Sequence, residues 1–336
     1  MENANQSCAA SADANFNYNS PVILITFILG LAGNTTALWI FCFHVKSRRP
    51  NVVYSLNLMI ADTLLMCCLP IRAHYFIKEK DWIFGDVPCR LNIFMISLNR
   101  VGSVIFLMAI AVDRYFKVVR PFHKVNKITP RCAAMLAGAL WVMAVGICLH
   151  LLVEPHHFYQ NNTRTYCEPF NITNPRRPMA IWTNIVFIFF TFILPVSVLV
   201  FSSSCIIWKL RQMETEMRRK YKRTVKLVIA VVVVFVICFL PTNIAVVAVL
   251  VTMQNPTDCN ITAVNIFYNT LFVTYLNSVI DPVIYYFSNS AFRDALRKAL
   301  VHLNLRSCKS ATSQDNEQGE SQGQTLDQQT TSVTHL

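Results

Sequence analysis

The sequence LVIAVVVVFVICFLPTNIAVVAVLV, residues 227–251, contains no charged side chain. As a helix rising about 1.5 Å per residue, this stretch is long enough to cross the roughly 30 Å of hydrocarbon in a bilayer. Stretches of similar character recur along the chain, and the predicted spans are 21–44, 52–77, 86–119, 132–153, 179–209, 220–252 and 263–287. Because hydrocarbon offers the backbone no water to bond, each span is predicted to be helical. The sequence therefore predicts an all-α bundle of seven transmembrane helices.

The composition supports a membrane class. Hydrophobic residues make up 54% and charged residues 14% of the 336 residues, and the mean hydropathy is +0.41. A soluble domain usually carries about 25% charged residues, so this chain lacks the polar surface needed to face water all round. The net charge of +12 lies in short clusters between apolar runs. This placement favours membrane orientation over nucleic-acid binding.

The Lys and Arg residues orient the bundle. The connections after the first, third and fifth spans are strongly basic, as in Lys46, Arg48 and Arg49, whereas the opposite connections are not. The positive-inside rule places the basic side in the cytoplasm and the N-terminus outside. Four predicted N-glycosylation sites then fall on the outer side: Asn5, Asn161, Asn171 and Asn260.

Three segments are predicted: an extracellular N-terminus (1–20), a seven-transmembrane domain that includes an eighth helix (21–303) and a disordered cytoplasmic tail (304–336). Residues 290–300 are predicted to form a short amphipathic eighth helix on the inner leaflet. The tail is rich in Ser, Thr, Gln and Glu, a composition typical of disorder. Cys308, just after the eighth helix, is a candidate for palmitoylation, with a plain free thiol as the alternative.

Four cysteines face the oxidising exterior, and four cysteines allow three pairings. Cys89 opens the third span and Cys167 lies in the loop after the fourth, so a bridge between them would hold that loop over the bundle. The favoured second pair, Cys8 and Cys259, would tie the N-terminal segment to the last outer loop.

Polar residues inside the predicted spans are candidates for function, because charges in hydrocarbon are costly. Asp62 and Asp281 lie mid-span, and Asn34, Ser103 and Asn277 are expected at similar depth. Clustered carboxylate and neutral oxygens favour a hard cation, here Na⁺. Hydrogen-bonded structural aspartates are the alternative, and no other metal site is predicted.

Asp113-Arg114-Tyr115 closes the third span near the cytoplasm. Neighbouring Asp and Arg side chains can neutralise each other in a partly desolvated place. The pair is a candidate switch, opened when Asp113 is protonated or Arg114 finds another partner. An ordinary interfacial ion pair is the alternative.

Arg100 is the strongest candidate for ligand binding. It lies 11 residues after Cys89, about three helical turns and roughly 16 Å deeper, with no acidic neighbour on its helix. A guanidinium there stays charged and binds carboxylate through two parallel hydrogen bonds. The sequence predicts an anionic ligand from outside, the alternative being an Arg bonded to helix carbonyls or water. Arg72, nearer the outer interface, is either a second contact or a snorkelling side chain.

Taken together, these motifs resemble the rhodopsin-like family of G-protein-coupled receptors across residues 20–305. The matching positions are Gly33-Asn34, 57–62, Asp113-Arg114-Tyr115, Trp141, Pro195, 235–241 and 277–285. The resemblance implies a G-protein switch in which the sixth helix, kinked at Pro241, swings outward while Phe235 and Phe239 repack. It also assigns Asp113, Arg114, Tyr115 and Tyr285 to that switch. Phe239 and Asp281 stand where many members have Trp and Asn.

One branch of this family is matched more closely. It comprises the hydroxycarboxylic acid receptors and the related oxoeicosanoid receptors, which the sequence resembles at residues 38–44, 81–91 and 99–103. The resemblance implies that Arg100 and Tyr275 hold the ligand's carboxylate. It further implies inhibitory G proteins that lower cyclic AMP, with arrestin and kinases acting at the tail. Val246 replaces an Arg typical of hydroxycarboxylic acid receptors, Cys8 stands where they have a cysteine pair, and Arg72 resembles the oxoeicosanoid receptors. The expected ligand is therefore a hydroxycarboxylic acid or an oxidised fatty acid.

Three other classes fit the sequence less well. An enzyme is disfavoured, because the sequence has no nucleophile–base pair, phosphate-binding Gly motif or metal-ligand spacing. A carboxylate transporter would be expected to show internal repeats and paired interrupted helices, and neither is evident in the sequence. A receptor for another anion, such as a nucleotide, would be expected to need more cationic residues than Arg100 and Arg72.

Overall fold

Seven long helices account for the predicted spans in the computed structural model. The structure describes residues 19–45, 50–154, 156–160, 164–169, 185–253, 261–288, 292–298 and 301. The helices are α1 (Asn19–Phe43), α2 (Pro50–Ile77), α3 (Asp86–Val119), α4 (Pro130–Cys148, continued by His150–Val153), α5 (Ile185–Arg211), α6 (215–253) and α7 (Ile261–Ser288). A 3₁₀ turn, Lys124–Lys127, follows α3. The predicted start of the fifth span, 179–184, lies outside the described residues.

The helices α1 to α6 are long and apolar enough to cross a membrane, judged by length and composition over the described residues. Helix α7 has the length, 28 residues, but its polar side chains lower its hydropathy. Asn277, Ser278 and Asp281 on α7 are at most 1% exposed, because they face the interior of the bundle. A span can therefore be polar where other helices cover it.

Helices α5 and α6 each contain one turn of π-helix. The π segments are Phe189–Ile193 and Phe235–Phe239, and Pro195 and Pro241 follow them closely. The proline ring clashes with the carbonyl four residues earlier, and in both helices that residue lies within the π segment. The wider turn accommodates the clash without breaking the helix. Pro241 therefore closely follows a widened turn of α6, and the kink that the resemblance implied there stays a prediction.

Buried amide and indole groups join the helices within the apolar interior. The Trp141 indole N–H on α4 donates to Asn57 Oδ1 on α2 at 2.8 Å. Asn34 Nδ2 on α1 donates to the Ser278 carbonyl on α7 at 2.8 Å. Such bonds fix helix register, because a buried polar group without a partner is costly.

The loop after α4 forms an antiparallel hairpin, which the all-α prediction did not include. Strand β1 (His157–Gln160) pairs with β2 (Arg164–Cys167), with His157 opposite Cys167. The Cys89–Cys167 disulfide ties β2 to the start of α3 and confirms that predicted bridge. These four-residue strands depend on this long-range link, so local sequence did not reveal them.

Several predictions concern other parts of the chain. Residues 292–298 are helical, within the predicted eighth helix, and belong to a separate unit of residues 290–336. The predicted glycosylation sites, the Cys8–Cys259 pair, Cys308 and the tail 304–336 lie outside the described residues.

Replacing Trp141 with Phe tests the hydrogen bond between α4 and α2. Trp141→Phe keeps an aromatic ring but leaves Asn57 Oδ1 without its donor, at an expected cost of about 1–2 kcal/mol. We expect a lower melting temperature for the detergent-solubilised protein. Trp208→Phe is the control, because Trp208 is 61% exposed on α5. Equal melting temperatures for both variants would contradict this role of Trp141.

Candidate functional site

A cavity of about 80 Å³ lies between the outer halves of the helices and is partly closed by residues flanking the hairpin. Most of its wall is apolar, with polar groups at a few positions. Its lining residues are Arg72, Ile93, Ile96, Ser97, Asn99, Arg100, His150, Leu151, Pro169, Phe187, Val246, Phe267, Leu271, Thr274 and Tyr275. The structure therefore brings the three predicted ligand-binding residues, Arg100, Tyr275 and Arg72, into one cavity. Its mainly apolar wall, with a few polar groups, is typical of small-molecule sites.

Arg100 is held by neutral groups. Its Nη2 donates to Asn243 Oδ1 on α6 at 2.7 Å, and its guanidinium carbon lies 5.8 Å from the centre of the Phe187 ring on α5. Only 7% of Arg100 is exposed, and its Nε is buried without a hydrogen-bond partner. None of the ion pairs formed within the described residues involves Arg100. A buried positive charge therefore faces the cavity without a carboxylate.

Tyr275 adds a second polar group to the cavity. It lies on α7, is 2% exposed, and lines the cavity. Its hydroxyl is buried and has no hydrogen-bond partner in the described part of the chain. A phenol that can donate a hydrogen bond and a charged guanidinium suit a carboxylate, which only accepts.

Arg72 differs from Arg100, because the protein itself neutralises it. Its Nη2 lies 3.5 Å from Glu168 Oε2, and its Nη1 donates to the Cys167 carbonyl at 2.9 Å. The Tyr75 hydroxyl donates to Glu168 Oε1 at 2.6 Å, and the Tyr268 hydroxyl donates to Glu168 Oε2. Sequence reasoning did not identify Glu168. Its position directly after Cys167 could have identified Glu168 as a candidate, because the disulfide holds Cys167 over the bundle.

Asn243 is another functional candidate that sequence reasoning missed. It is 1% exposed and lies one turn after Phe239, whose carbonyl accepts a hydrogen bond from Asn243 Nδ2 at 2.8 Å. Thr191 on α5 is also close, with its Oγ1 3.5 Å from Asn243 Oδ1. Asn243 thereby joins Arg100 on α3 to α6 beside the residues assigned to the switch.

Three of the predicted sodium residues, Asp62, Asn277 and Asp281, lie in a buried polar cluster below the cavity. Asp62 Oδ1 accepts from the Ser278 hydroxyl at 2.6 Å, and Asp62 Oδ2 from the Tyr285 hydroxyl at 3.0 Å. Asn277 Nδ2 donates to Asp281 Oδ2 at 3.0 Å. Asn277 Oδ1 and Asp281 Oδ1 in this cluster are buried and have no hydrogen-bond partner among the described residues. The same is true of Ser103 Oγ, the fourth predicted sodium ligand, on α3.

The predicted switch residues divide between the cytoplasmic end and the bundle interior. Asp113 Oδ2 lies 3.4 Å from Arg114 Nη2 and 2.7 Å from Lys117 Nζ, so Asp113 has two cationic partners rather than one. The Phe235 and Phe239 rings on α6 are 5.8 Å apart.

The two tyrosines assigned to the switch lie at different levels. Tyr115 packs against Phe201 of α5, with 5.7 Å between ring centres. Tyr285 contacts Asp62 and therefore joins the deep polar cluster.

Comparison with known proteins agrees with this arrangement. Residues 33–285 match the family described as 7 transmembrane receptor (rhodopsin family). Human hydroxycarboxylic acid receptor 3 is 43% identical over 276 residues, covering 81% of this chain and 70% of the relative. Human hydroxycarboxylic acid receptor 1 is 37% identical, covering 85% and 81%. Human oxoeicosanoid receptor 1 is 34% identical, covering 84% and 72%.

The seven helices and the partly closed outer cavity define a heptahelical membrane receptor with a small-molecule site. The chain belongs to the rhodopsin family of seven-transmembrane receptors. It is a G-protein-coupled receptor and a multi-pass protein of the plasma membrane, and it is not an enzyme. These findings confirm the predicted class and fold.

The residue that directly precedes the hairpin is a histidine that should make the protein sensitive to acid. His156 is 2% exposed, its carbonyl accepts from the Glu168 N–H at 3.1 Å, and burial lowers its pKa from 6.5 to about 4. The folded protein therefore holds His156 neutral over a range where the unfolded chain protonates it. Its contribution to stability is complete above about pH 6.5 and declines as the pH falls towards 4.

We expect His156→Asn to reduce the loss of melting temperature between pH 7 and pH 5, because the variant cannot be protonated there. The measurement is the thermal unfolding of detergent-solubilised protein at both pH values. His123→Asn is the control, because His123 is exposed after α3. An unchanged pH dependence in His156→Asn would show that His156 does not contribute.

Proposed function

We propose that this receptor is activated by a carboxylic acid with an apolar chain, either a hydroxycarboxylic acid or an oxidised fatty acid. We further propose that it signals through inhibitory G proteins and lowers cyclic AMP. The observation that carries the proposal is the buried guanidinium of Arg100, which faces the cavity without a carboxylate partner in the described residues.

The charge of Arg100 favours an anionic ligand. Arginine keeps its proton in proteins, and a buried charge without a counter-ion is unfavourable by several kcal/mol. Asn243 and the Phe187 ring offset only part of this cost, because neither carries a negative charge. A ligand carboxylate can accept two parallel hydrogen bonds from the guanidinium, and the Tyr275 hydroxyl can supply a third donor.

The cavity wall supports an apolar chain on that acid. Ile93, Phe187, Val246 and Leu271 are among its lining residues. Each methylene group that leaves water for such a wall contributes about 0.8 kcal/mol. Val246 stands where hydroxycarboxylic acid receptors typically have an Arg, which favours a longer, less polar ligand than the smallest hydroxy acids.

The relatives' names support a carboxylate headgroup. Hydroxycarboxylic acid receptors, oxoeicosanoid receptor 1 and a mouse receptor for 12-(S)-hydroxy-5,8,10,14-eicosatetraenoic acid are 31–43% identical to this chain. A nucleotide carries several negative charges and is less suitable. Arg72 and Arg100 are the arginines of the described cavity wall, and Glu168 already pairs with Arg72. Membership of this family implies coupling to G proteins. A transporter would not need such coupling.

Asn243 offers a direct route from binding to activation. Its Oδ1 accepts from Arg100 on α3, while its Nδ2 donates to the Phe239 carbonyl within the π segment of α6. A ligand carboxylate that takes the guanidinium competes with Asn243 and weakens the link between α3 and α6. The ligand then favours the arrangement in which α6 has moved outward, provided that it binds this arrangement more tightly.

At the cytoplasmic end, a G protein is proposed to contact the region of Arg114. Asp113 holds Arg114 at 3.4 Å, but Lys117 competes for the same carboxylate oxygen at 2.7 Å. The pair is therefore suited to rearrangement when α6 moves. Arrestin and receptor kinases are proposed to act at the tail, which lies outside the described residues.

The deep polar cluster is suited to an allosteric Na⁺ ion. The unpartnered Ser103, Asn277 and Asp281 oxygens are hard donors, and Asp62 and Asp281 supply carboxylates beside them. Sodium prefers such oxygen ligands. When bound, the ion would supply positive charge that offsets the two buried carboxylates. No other cofactor is proposed.

The first test replaces Arg100 with Ala and measures suppression of cyclic AMP by short hydroxy acids and long oxo-fatty acids. We expect the wild-type receptor to respond and Arg100→Ala to lose at least about two orders of magnitude in potency, because removing one partner of a buried charged pair costs about 3–5 kcal/mol. Arg90→Ala is the control. Arg90 lies on the same helix but outside the cavity, where it pairs with Asp86 at 2.7 Å.

An unchanged concentration–response curve in Arg100→Ala at normal surface expression would contradict the proposed anchor. Acid-independent guanine-nucleotide exchange, together with measurable uptake of the acid by the wild-type protein, would favour the transporter.

The second test changes the neighbour of Arg100. Asn243→Asp keeps the size of the side chain but places a carboxylate at the oxygen that now accepts from Arg100 at 2.7 Å. We expect the potency of acid agonists to fall at least about tenfold, since the new ion pair competes with the ligand. Asn243→Ala removes the competitor, and its agonist potency should be no lower than wild type. A fall of similar size in both variants would contradict competition at Arg100.

A further inference from the structure

The side chains of Arg72, Tyr75, Glu168 and Tyr268 form a buried polar group at the outer end of the cavity, which we name the Glu168 cluster. Arg72 is 2% and Glu168 8% exposed. Both carboxylate oxygens of Glu168 are occupied. Oε1 accepts from Tyr75 at 2.6 Å, while Oε2 accepts from Tyr268 and lies 3.5 Å from Arg72 Nη2.

This cluster has the composition of a carboxylate-binding site. One guanidinium and two phenol hydroxyls converge on one carboxylate, and all three are donors at neutral pH. The bound carboxylate belongs to the chain itself. A small carboxylate-bearing molecule would meet the same donors if Glu168 were absent.

The backbone holds Glu168 in this position. The preceding residue, Cys167, is bonded to Cys89 at the start of α3, and its carbonyl accepts from Arg72 Nη1 at 2.9 Å. The Glu168 N–H donates to the His156 carbonyl at 3.1 Å. These links fix the backbone on both sides of the hairpin, so the carboxylate is positioned before any ligand arrives.

The cluster is continuous with the proposed ligand site. Arg72 lines the cavity, and so does Pro169, which follows Glu168. Arg72 lies five residues before the outer end of α2, whereas Arg100 lies 11 residues into α3 from Cys89. An acid whose carboxylate reaches Arg100 would extend its far end towards the Glu168 cluster.

We propose that Glu168 determines specificity by filling a second carboxylate site, so that the receptor selects acids with one carboxylate and rejects those with a second at the far end. This inference rests on the proposed function. Of the two arginines in the described cavity wall, Glu168 neutralises Arg72 and leaves Arg100 for the ligand. A second ligand carboxylate would meet the negative charge of Glu168 instead of a free cation.

The experiment compares unbranched monocarboxylic acids with α,ω-dicarboxylic acids of the same chain lengths. The readout is the ratio of their potencies in suppressing cyclic AMP, measured for wild type, Glu168→Ala and Glu168→Gln at matched surface expression. Glu168→Ala frees Arg72, Tyr75 and Tyr268 together. Glu168→Gln removes the charge but keeps an acceptor for the tyrosines, which protects the fold of the loop.

We expect wild type to favour monocarboxylic acids at every length. In Glu168→Ala, the ratio should shift at least about tenfold towards the dicarboxylic acid whose length spans the two arginines, as expected for a new charge-assisted hydrogen bond. Glu168→Gln should shift it in the same direction by less. Adding Arg72→Gln to Glu168→Ala should abolish the gain. Asp86→Asn removes a carboxylate from the same outer face, in an exposed pair with Arg90, and should leave the ratio unchanged.

The outcomes separate the two proposals. A wild-type receptor that responds to monocarboxylic acids, with the ratio unmoved in both Glu168 variants, would overturn the role of Glu168 alone. A gain that persists after Arg72→Gln would also overturn it. A wild-type receptor that responds to no monocarboxylic acid would overturn the proposed function. In that case, dicarboxylate-dependent thermal stabilisation of purified Glu168→Ala still tests the second site, and its absence counts against that site.

Discussion

The buried positive charge of Arg100 is the constraint on which the outer half of the receptor depends. A guanidinium about four turns into α3 must be compensated, because the surrounding hydrocarbon and apolar side chains cannot solvate it. The described residues supply it with a neutral amide from Asn243 and an aromatic face from Phe187, but with no carboxylate. The same contacts join α3 to α5 and α6. In the proposed function, binding of an acid and rearrangement of these helices therefore involve the same few atoms.

The two arginines of the cavity show two ways to meet this requirement. The protein compensates Arg72 itself, through Glu168 and two tyrosines, and uses the pair to hold the outer hairpin beside the cavity. Arg100 is left for the ligand in our proposal. In this proposal, each cavity arginine without a carboxylate partner in the protein requires one negative charge from the ligand. The number of such arginines therefore restricts the ligand more closely than the cavity volume does.

Much of the architecture could be predicted from the sequence, because a bilayer leaves few alternatives to apolar helices. The spacing of Cys89 and Arg100 correctly placed the arginine in the outer cavity, and the Cys89–Cys167 bridge was correct. The partners of Arg72 and Arg100 could not be predicted. Glu168 is 96 residues from Arg72 and Asn243 is 143 residues from Arg100, so these contacts depend on how the helices and hairpin pack. The hairpin itself escaped prediction because a distant disulfide anchors its short strands.

The most direct test of the central claim is an experimental structure of the receptor with a bound acid agonist. The account predicts the ligand carboxylate within hydrogen-bond distance of the Arg100 guanidinium, about 2.7–2.9 Å between nitrogen and oxygen. It also predicts that Asn243 Oδ1 no longer accepts from Arg100 and that Glu168 still pairs with Arg72. A ligand carboxylate bound elsewhere, with the Arg100–Asn243 hydrogen bond intact, would contradict the account.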